Sequence, residues 1–194
     1  MSRTSSLVLP LARWTLVMLA IALAGYWTWR QPWMQASAEA WRLARLPAPT
    51  ALPVPVEGVR ARHIADTWGG ARSGGRKHQG VDIFAKRGTP VHSATHGVVI
   101  GVKDYGLGGK QVWVIGPGGE RHYYAHLDDF APGIARFDRV QPGTLLGHVG
   151  DTGNARGTPP HLHYGIYAMS GAYNPWPLLQ AGDRTGSAVR PVRR

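Results

Sequence analysis

Two histidines, His161 and His163, stand one residue apart at the start of an apolar run and are the first candidates for chemistry in this sequence. A β-strand points side chains i and i+2 to the same face, about 6.5–7 Å apart along the backbone. One imidazole could therefore bind a metal ion while the other lies beside an open coordination position. The same spacing also fits a pair of structural histidines, so the motif needs a second group of candidate ligands.

The segment Lys77–Ile83 (KHQGVDI) supplies such a group, because it places the imidazole of His78 four residues before the carboxylate of Asp82. On a helix the two would share a face, but Gly80 and the β-branched residues that follow it argue against a helix. On a straight strand they would lie about 13 Å apart. Both can reach one ion only if the chain bends between them, and Gly80 is the residue that permits a bend.

Strands are the elements expected to position these residues. Runs of β-branched or alternating residues, separated by Gly, Pro and Asp, predict strands at Val81–Phe84, Gly97–Val102, Gln111–Ile115, Arg121–His126, Thr144–Val149 and His161–Ala168. The fourth of these ends in a further candidate, His126. No helical period of ten or more residues interrupts the series. The sequence therefore predicts an all-β domain, built mainly of antiparallel sheet or sandwich.

The amino-terminal residues read as a targeting segment. Trp14–Trp29 carries no charge, and counted from Leu7 the apolar stretch reaches the roughly 20 residues that span a bilayer. Residues 1–34 are therefore predicted to form a membrane-anchor helix. A cleaved signal peptide is the alternative, because Ala22–Ala24 (ALA) is similar to a signal-peptidase site.

A spacer is predicted between this segment and the domain. Ser37–Arg45 favours a short helix capped at its first residue, and the four prolines of Leu46–Gly58 favour a stiff extended linker. We therefore expect a helix and linker over residues 35–57, the catalytic domain over 58–180 and a basic flexible tail over 181–194.

Composition limits the classes of function. Lys and Arg outnumber Asp and Glu 22 to 11, giving a formal net charge of +11 that favours nucleic acid, acidic lipid or anionic wall polymers as surroundings. No Lys/Arg-rich block with interleaved aromatic residues is present, which argues against nucleic-acid binding. The chain has no cysteine, so disulfides, thiolate zinc sites and a cysteine nucleophile are excluded. A transition-metal site must use His, Asp or Glu.

Three motifs together resemble a known family. H-x-x-x-D at His78 and Asp82, Y-A-H-L around His126, and H-x-H at His161 and His163 follow one another in the order found in the lysostaphin-type (LytM-like) zinc endopeptidases of peptidoglycan. Each motif is weak alone, but their order makes the resemblance specific.

The segments that flank the motifs agree with this resemblance. Gly80–Val91 is similar to the family's strand after the first ligand, and Gly147–Gly153 to its approach to the H-x-H strand. The resemblance covers about Gly58–Leu179. The chain departs from the family around H-x-H, with Thr158–Pro160 before it and no acidic residue soon after it.

The resemblance implies a set of roles. By position, His78, Asp82 and His163 are the zinc ligands, and His126 and His161 are the catalytic histidines. Two neutral imidazoles and one carboxylate would leave Zn²⁺ with a net charge of +1 and a fourth position for water.

The function that the resemblance implies is a zinc metalloendopeptidase that hydrolyses peptide bonds in the stem or cross-link peptides of bacterial peptidoglycan. The expected location is the cell envelope, with the amino-terminal segment in the inner membrane and the catalytic domain in the periplasm. The alternative is a non-catalytic member of the family that binds and activates cell-wall amidases. Such members lack one or more ligands, whereas all three are present here.

The other histidines are predicted to be bystanders. His92 and His96 form H-x-x-x-H, a zinc spacing on a helix, but their context is extended. His122 alternates with His126, which favours a surface position or the rim of the cleft. His63 and His148 match no motif.

Overall fold

The computed structural model describes residues 5–184, with side chains from residue 13 onward. Its contacts divide the chain into two compact units between Ala38 and Glu39. The helices are α1 (Ser5–Trp29), α2 (Pro32–Ala44) and α3 (Trp176–Arg184).

The amino-terminal segment is helical, as predicted, over α1. Within the described part of the chain, no helix has both the length and the apolar character needed to cross a membrane. The predicted membrane-anchor helix is therefore without support here. The first residues of the predicted apolar stretch, from Leu7 to residue 12, lie outside the residues whose side chains are described.

The short helix begins earlier than the sequence predicts. α2 starts at Pro32 rather than Ser37, and the Ser37 hydroxyl donates a hydrogen bond of 2.7 Å to the Trp33 carbonyl one turn back. Proline is favoured in the first turn of a helix because its missing N–H would have no partner there. Ser37 therefore lies inside the helix and does not cap it.

The second unit is built on one nine-stranded sheet. Its strands are β1 (Val81–Phe84), β2 (Pro90–His92), β3 (Gly97–Asp104), β4 (Lys110–Ile115), β5 (Arg121–Phe130), β6 (Arg139–Val140), β7 (Leu145–Val149), β8 (His161–Ala168) and β9 (Gly171–Tyr173). The main order is β1-β8-β5-β4-β3-β6, with β7 pairing β2 and β5, and β9 pairing β8. Every pairing is antiparallel, which confirms the mostly antiparallel sheet. The short strands β2, β6 and β9 were not predicted.

Strands β5 and β8 lie at the centre and separate a core face from an open face. Tyr124 is paired with Tyr164 in the register of these strands, and both are fully buried. The neighbouring pair, Ala125 and His163, points to the other face, because side chains alternate along a strand. The open face carries the candidate site.

The proline-rich segment and the carboxyl-terminal helix both contribute to the core. Leu52 and Val56, from the predicted linker, are buried in it, and the Leu52 amide donates to the Leu178 carbonyl at 3.0 Å. α3 buries Leu179 and continues into the segment expected to be a tail, while residues 185–194 lie outside the described part. The linker segment is therefore more than a spacer, and the domain limits stay predictions.

Candidate metal centre

The pairing of β1 with β8 brings two of the predicted ligands together. Asp82 stands opposite His163 in the register, and directly opposed side chains on one face have Cβ atoms about 4.5–5.5 Å apart. His78 reaches the same point from the loop before β1. The chain bends at Gly80, as predicted.

Gly80 is also needed for close approach. A Cβ atom at this position would lie 2.6 Å from both His163 Cε1 and the Tyr164 carbonyl oxygen. Real Cβ atoms do not come this close to either, so a side chain here would displace the His163 ring. The glycine therefore lets the loop carrying His78 lie directly against β8.

Three donor atoms converge as a result. His78 Nε2 lies 2.8 Å from His163 Nδ1 and 3.0 Å from Asp82 Oδ1, and His163 Nδ1 lies 3.1 Å from Asp82 Oδ1. An ion bonded at 2.0–2.1 Å to three atoms in tetrahedral directions needs them about 3.3 Å apart. The donor set, two imidazoles and a carboxylate, is one that zinc favours. These residues therefore fit a metal ion.

The electrostatics of the cluster suit a cation. Burial alone would raise the pKa of Asp82, but its hydrogen bonds with His163 and His78 outweigh burial and hold the pKa well below its usual range. Burial lowers the pKa of His163, so the ring is neutral at neutral pH. An ionised carboxylate and a neutral imidazole are the states in which Asp82 and His163 would bind a metal ion.

Outer contacts fix the orientation of these ligands. His78 Nδ1–H donates to the Thr67 carbonyl at 2.7 Å, which turns Nε2 toward the cluster. The Thr67 hydroxyl accepts from the Asp82 amide at 3.0 Å. Arg72 forms an ion pair with Asp82 Oδ2 and leaves Oδ1 facing the two imidazoles. No motif pointed to Thr67 or Arg72, because both lie outside the three matched patterns.

The two predicted catalytic histidines lie beside the cluster. The rings of His126 and His161 are 5.1 Å apart between centroids, and His161 Nε2 is 4.0 Å from Asp82 Oδ1. His126 Nδ1–H donates to the Thr152 carbonyl at 2.9 Å, and His161 Nδ1–H to the Pro159 carbonyl at 2.8 Å. In both rings the other nitrogen, Nε2, is therefore the one that can accept a proton. Burial lowers the pKa of His126 to about 4.

His126 reaches the cleft through an irregularity in β5. Its backbone is left-handed (φ 63°), and the register shifts nearby in the pairing of β5 with β4 and with β7. Left-handed backbone in a residue other than glycine costs about 1–3 kcal/mol. The kink reverses the alternation after Ala125, so that Leu127 enters the core and His126 turns to the open face.

The same kink explains why the prediction for His122 was wrong. Its even spacing from His126 predicted a shared face, but the left-handed residue breaks that parity. His122 is fully buried in the core, and its Nδ1 lies 2.7 Å from the Tyr164 hydroxyl. Of the other bystanders, His92 is buried 3.8 Å from Glu57 and His96 is exposed.

A cleft of about 590 Å³ opens over the cluster. Besides the five predicted site residues, two groups of side chains line it. One group is basic, Arg72, Arg76 and Lys77, and the other is aromatic, Trp113, Tyr123 and Tyr167. Sequence reasoning missed both groups; Trp113 and Tyr123 share a face because they are paired in the register of β4 with β5, which the sequence does not show.

Comparison with known proteins identifies the family. The model of peptidase family M23 matches residues 76–175, more than half of the chain, and the chain belongs to this family. The resemblance drawn from the three motifs is thus confirmed.

The relatives are longer proteins. The L-Ala–D-Glu endopeptidase of Bacillus subtilis is 42% identical over 129 residues, which is 61% of this chain and 40% of that protein. DD-carboxypeptidase/endopeptidase Mpg of Neisseria meningitidis is 35% identical over 139 residues, 69% of this chain and 30% of that protein. The catalytic domain of lysostaphin from Staphylococcus simulans superposes with a TM-score of 0.52 at 32% identity, covering 60% of this chain and 91% of that one. The chain thus spans no more than two-fifths of either curated relative.

Proposed function

We propose that this protein is a zinc-dependent endopeptidase that hydrolyses peptide bonds in the stem or cross-link peptides of bacterial peptidoglycan. The observation that carries the proposal is the convergence of one donor atom each from His78, Asp82 and His163, 2.8–3.1 Å apart, at the floor of an open cleft. We assign these three residues as the metal ligands.

The chemistry needs a Lewis acid. A zinc ion held by this donor set would polarise the scissile carbonyl and make water a nucleophile at neutral pH, contributing several kcal/mol to the barrier reduction. Because Asp82 supplies a single negative charge, a divalent ion held by these three residues would keep a net positive charge. Arg72 keeps that carboxylate from rotating its second oxygen into the cluster.

Protons are handled by His126 and His161. Each ring has Nδ1–H fixed on a carbonyl oxygen, so Nε2 can accept a proton from the attacking water and return it to the leaving amine. The low pKa of His126 keeps it neutral, and therefore ready to accept a proton, at neutral pH. Proton transfer of this kind typically contributes about 10²–10⁴-fold in rate.

The substrate class follows from the family and the relatives. Two relatives cleave, by their names, an L-Ala–D-Glu bond and DD bonds, and mixed-chirality peptides of this kind belong to peptidoglycan. The proposal accordingly places the protein at the cell envelope, with the catalytic domain in contact with wall peptides. The amidase-activator alternative is not favoured, because the full donor set and both further histidines lie in one cleft.

Release of soluble muropeptides from purified sacculi tests the proposal. The zinc-loaded full chain is expected to release them, and His163→Ala is expected to abolish release and to retain less than about a tenth of an equivalent of zinc. His96→Ala, an exposed histidine outside the cleft, is the matched control and should behave like the unchanged protein. An undiminished rate in His163→Ala would overturn the metal-centred mechanism.

A further inference from the structure

The charges lining the cleft are unbalanced. Arg72 is already paired with Asp82, the one carboxylate among the described lining residues. Arg76 and Lys77 are exposed, and within the described residues no carboxylate lies within ion-pair distance of either. The cleft therefore presents two uncompensated positive charges even before a metal ion adds more.

Arg76 is held in place rather than mobile in solvent. Its Nε–H donates to the Ser73 carbonyl at 3.1 Å, and a terminal nitrogen lies 3.2 Å from the Ser73 hydroxyl. A guanidinium has five N–H donors, so three remain for a ligand. Across the same loop, the isolated bridge between Ala71 and Lys77 fixes the backbone next to ligand His78. The side chain of Arg76 and the backbone at Lys77 are therefore fixed beside the candidate metal centre.

Aromatic side chains occupy the other flank of the cluster. Trp113 stacks on Tyr123 with centroids 4.2 Å apart and contacts Tyr167 at 5.4 Å. Tyr123 lies edge-on to the His163 ring at 5.6 Å. Arg72 therefore contacts Asp82, Asp82 contacts His163, and His163 contacts the aromatic group through Tyr123. A peptide lying across the cluster meets cations on one side and flat apolar rings on the other.

We propose that the cleft selects an anionic peptide, one with a free carboxylate close to the scissile bond, bound by Arg76 and Lys77. The uncharged part of the same peptide packs on Trp113, Tyr123 and Tyr167. This inference rests on the proposed endopeptidase function and narrows its substrate class. A cross-bridge made only of glycine has no side-chain carboxylate to offer and is expected to be a poorer substrate. Charge-assisted hydrogen bonds from these two cations are expected to give roughly tenfold discrimination in favour of the acid.

A matched pair of synthetic muropeptides tests the selection. The two peptides are identical except that the α-carboxylate of D-glutamate is free in one and amidated in the other. For the zinc-loaded full chain, kcat/KM is expected to be at least about tenfold higher for the free acid. In the double variant Arg76→Gln/Lys77→Gln, the ratio of the two kcat/KM values should fall to about one. Arg136→Gln and Lys103→Gln, the same substitutions outside the cleft, should leave the ratio unchanged.

Two further measurements distinguish a failure of the proposed selection from misfolding of the variant and from a failure of the endopeptidase proposal. Zinc stoichiometry and the thermal midpoint of each variant show whether the double variant still folds. Binding of both peptides to the metal-free full chain, measured by calorimetry at low and high salt, reports charge recognition without catalysis. If neither peptide is cleaved, the endopeptidase proposal fails, and tighter binding of the acid would still support the selection. Equal kcat/KM values or equal affinities for the two peptides, unchanged in the double variant, would overturn the selection and leave the endopeptidase proposal standing.

Discussion

The two faces of the sheet formed by β1, β8 and β5 use similar residues for opposite purposes. On the open face, Asp82 and His163 meet with their polar atoms 3.1 Å apart, and the pKa of Asp82 is held well below its usual range. On the core face, His122 lies against Tyr164, and burial lowers the pKa of His122 to about 3. The first arrangement fits a cation, whereas the second disfavours charge.

Carboxylates show the same contrast. Glu120 is buried near the start of β5, and one of its oxygens accepts from the Tyr173 hydroxyl at 2.7 Å, while the other has no hydrogen-bond partner among the described residues. Burial raises the pKa of Glu120 and so favours its neutral form. Asp82 is as buried but has two imidazoles and a guanidinium around it. The neighbours, rather than burial alone, decide which acid is ionised and is a candidate ligand.

The largest effect is the difference expected when the carboxylate of each of these two acids is replaced by an amide. Asp82→Asn removes the negative charge from the metal site and should lower turnover of a muropeptide by at least about 10³-fold, because a lost Lewis acid removes several kcal/mol of stabilisation. Glu120→Gln should leave zinc content and turnover unchanged. Zinc content and kcat are measured on both variants. Equal losses in the two would mean that Asp82 has only a structural role.

A second variant tests the proton-transfer role on the open face. His126→Ala should lower kcat by about 10²–10⁴-fold with zinc content unchanged, because the residue lies beside the ligands but is not one of them. His63→Ala, an exposed histidine, is the control. Loss of zinc together with activity in His126→Ala would instead assign the residue to the metal site.

Arg72 gives the next effect in size. Arg72→Gln should weaken zinc affinity by about 10–100-fold, the usual result of removing a group that orients a ligand. Arg72→Lys should recover part of the loss because it restores the charge but not the planar guanidinium. Arg87→Gln breaks an ion pair with Asp128 and Asp151 that touches no ligand and should leave the affinity unchanged. Competition with a chromogenic chelator measures all three.

The smallest effect concerns the core face. His122 has a pKa of about 3 when folded, below its unfolded value of about 6.5, so its stabilising contribution is complete above pH 6.5 and is lost as pH falls toward 3. By pH 5 the loss amounts to about 2 kcal/mol relative to pH 7. His122→Phe should therefore show a shallower fall in unfolding free energy between pH 7 and pH 5, with turnover at pH 7 unaffected. A slope identical to that of the unchanged protein would contradict the assignment.

Alternation predicted most of the sheet, and the resemblance of the three motifs implied the donor set that the structure brings together. Alternation succeeds because runs such as Val81–Phe84 and His161–Ala168 have the two-residue period of a strand. Local patterns missed β2, β6 and β9, which are too short to show a period, and they placed the start of α2 at a serine cap rather than at Pro32. Several residues are compatible with the start of a helix, and tertiary contacts decide among them. Local sequence patterns do not contain that information.

The parts of the site that sequence missed depend on contacts between distant segments. Arg72 is ten residues from Asp82 and becomes its partner only after the loop folds back. His126 faces the cleft because its own backbone is left-handed, and the spacing of residues in the sequence does not indicate this. Thr152 supplies its carbonyl to His126 from 26 residues away. Long-range backbone geometry, rather than residue type, determines all three.

The absence of a side chain at Gly80 limits how far the proposed metal site can be redesigned. With main-chain atoms of β8 and the ring of His163 filling the space where a methyl group would stand, the spacing between the loop and the strand is determined by backbone contact. Substitution of nearby side chains can change the charge of the site, but the distance between the loop and β8 is expected to stay the same. An engineer who wants this scaffold to accept a larger ion would have to move β1 away from β8.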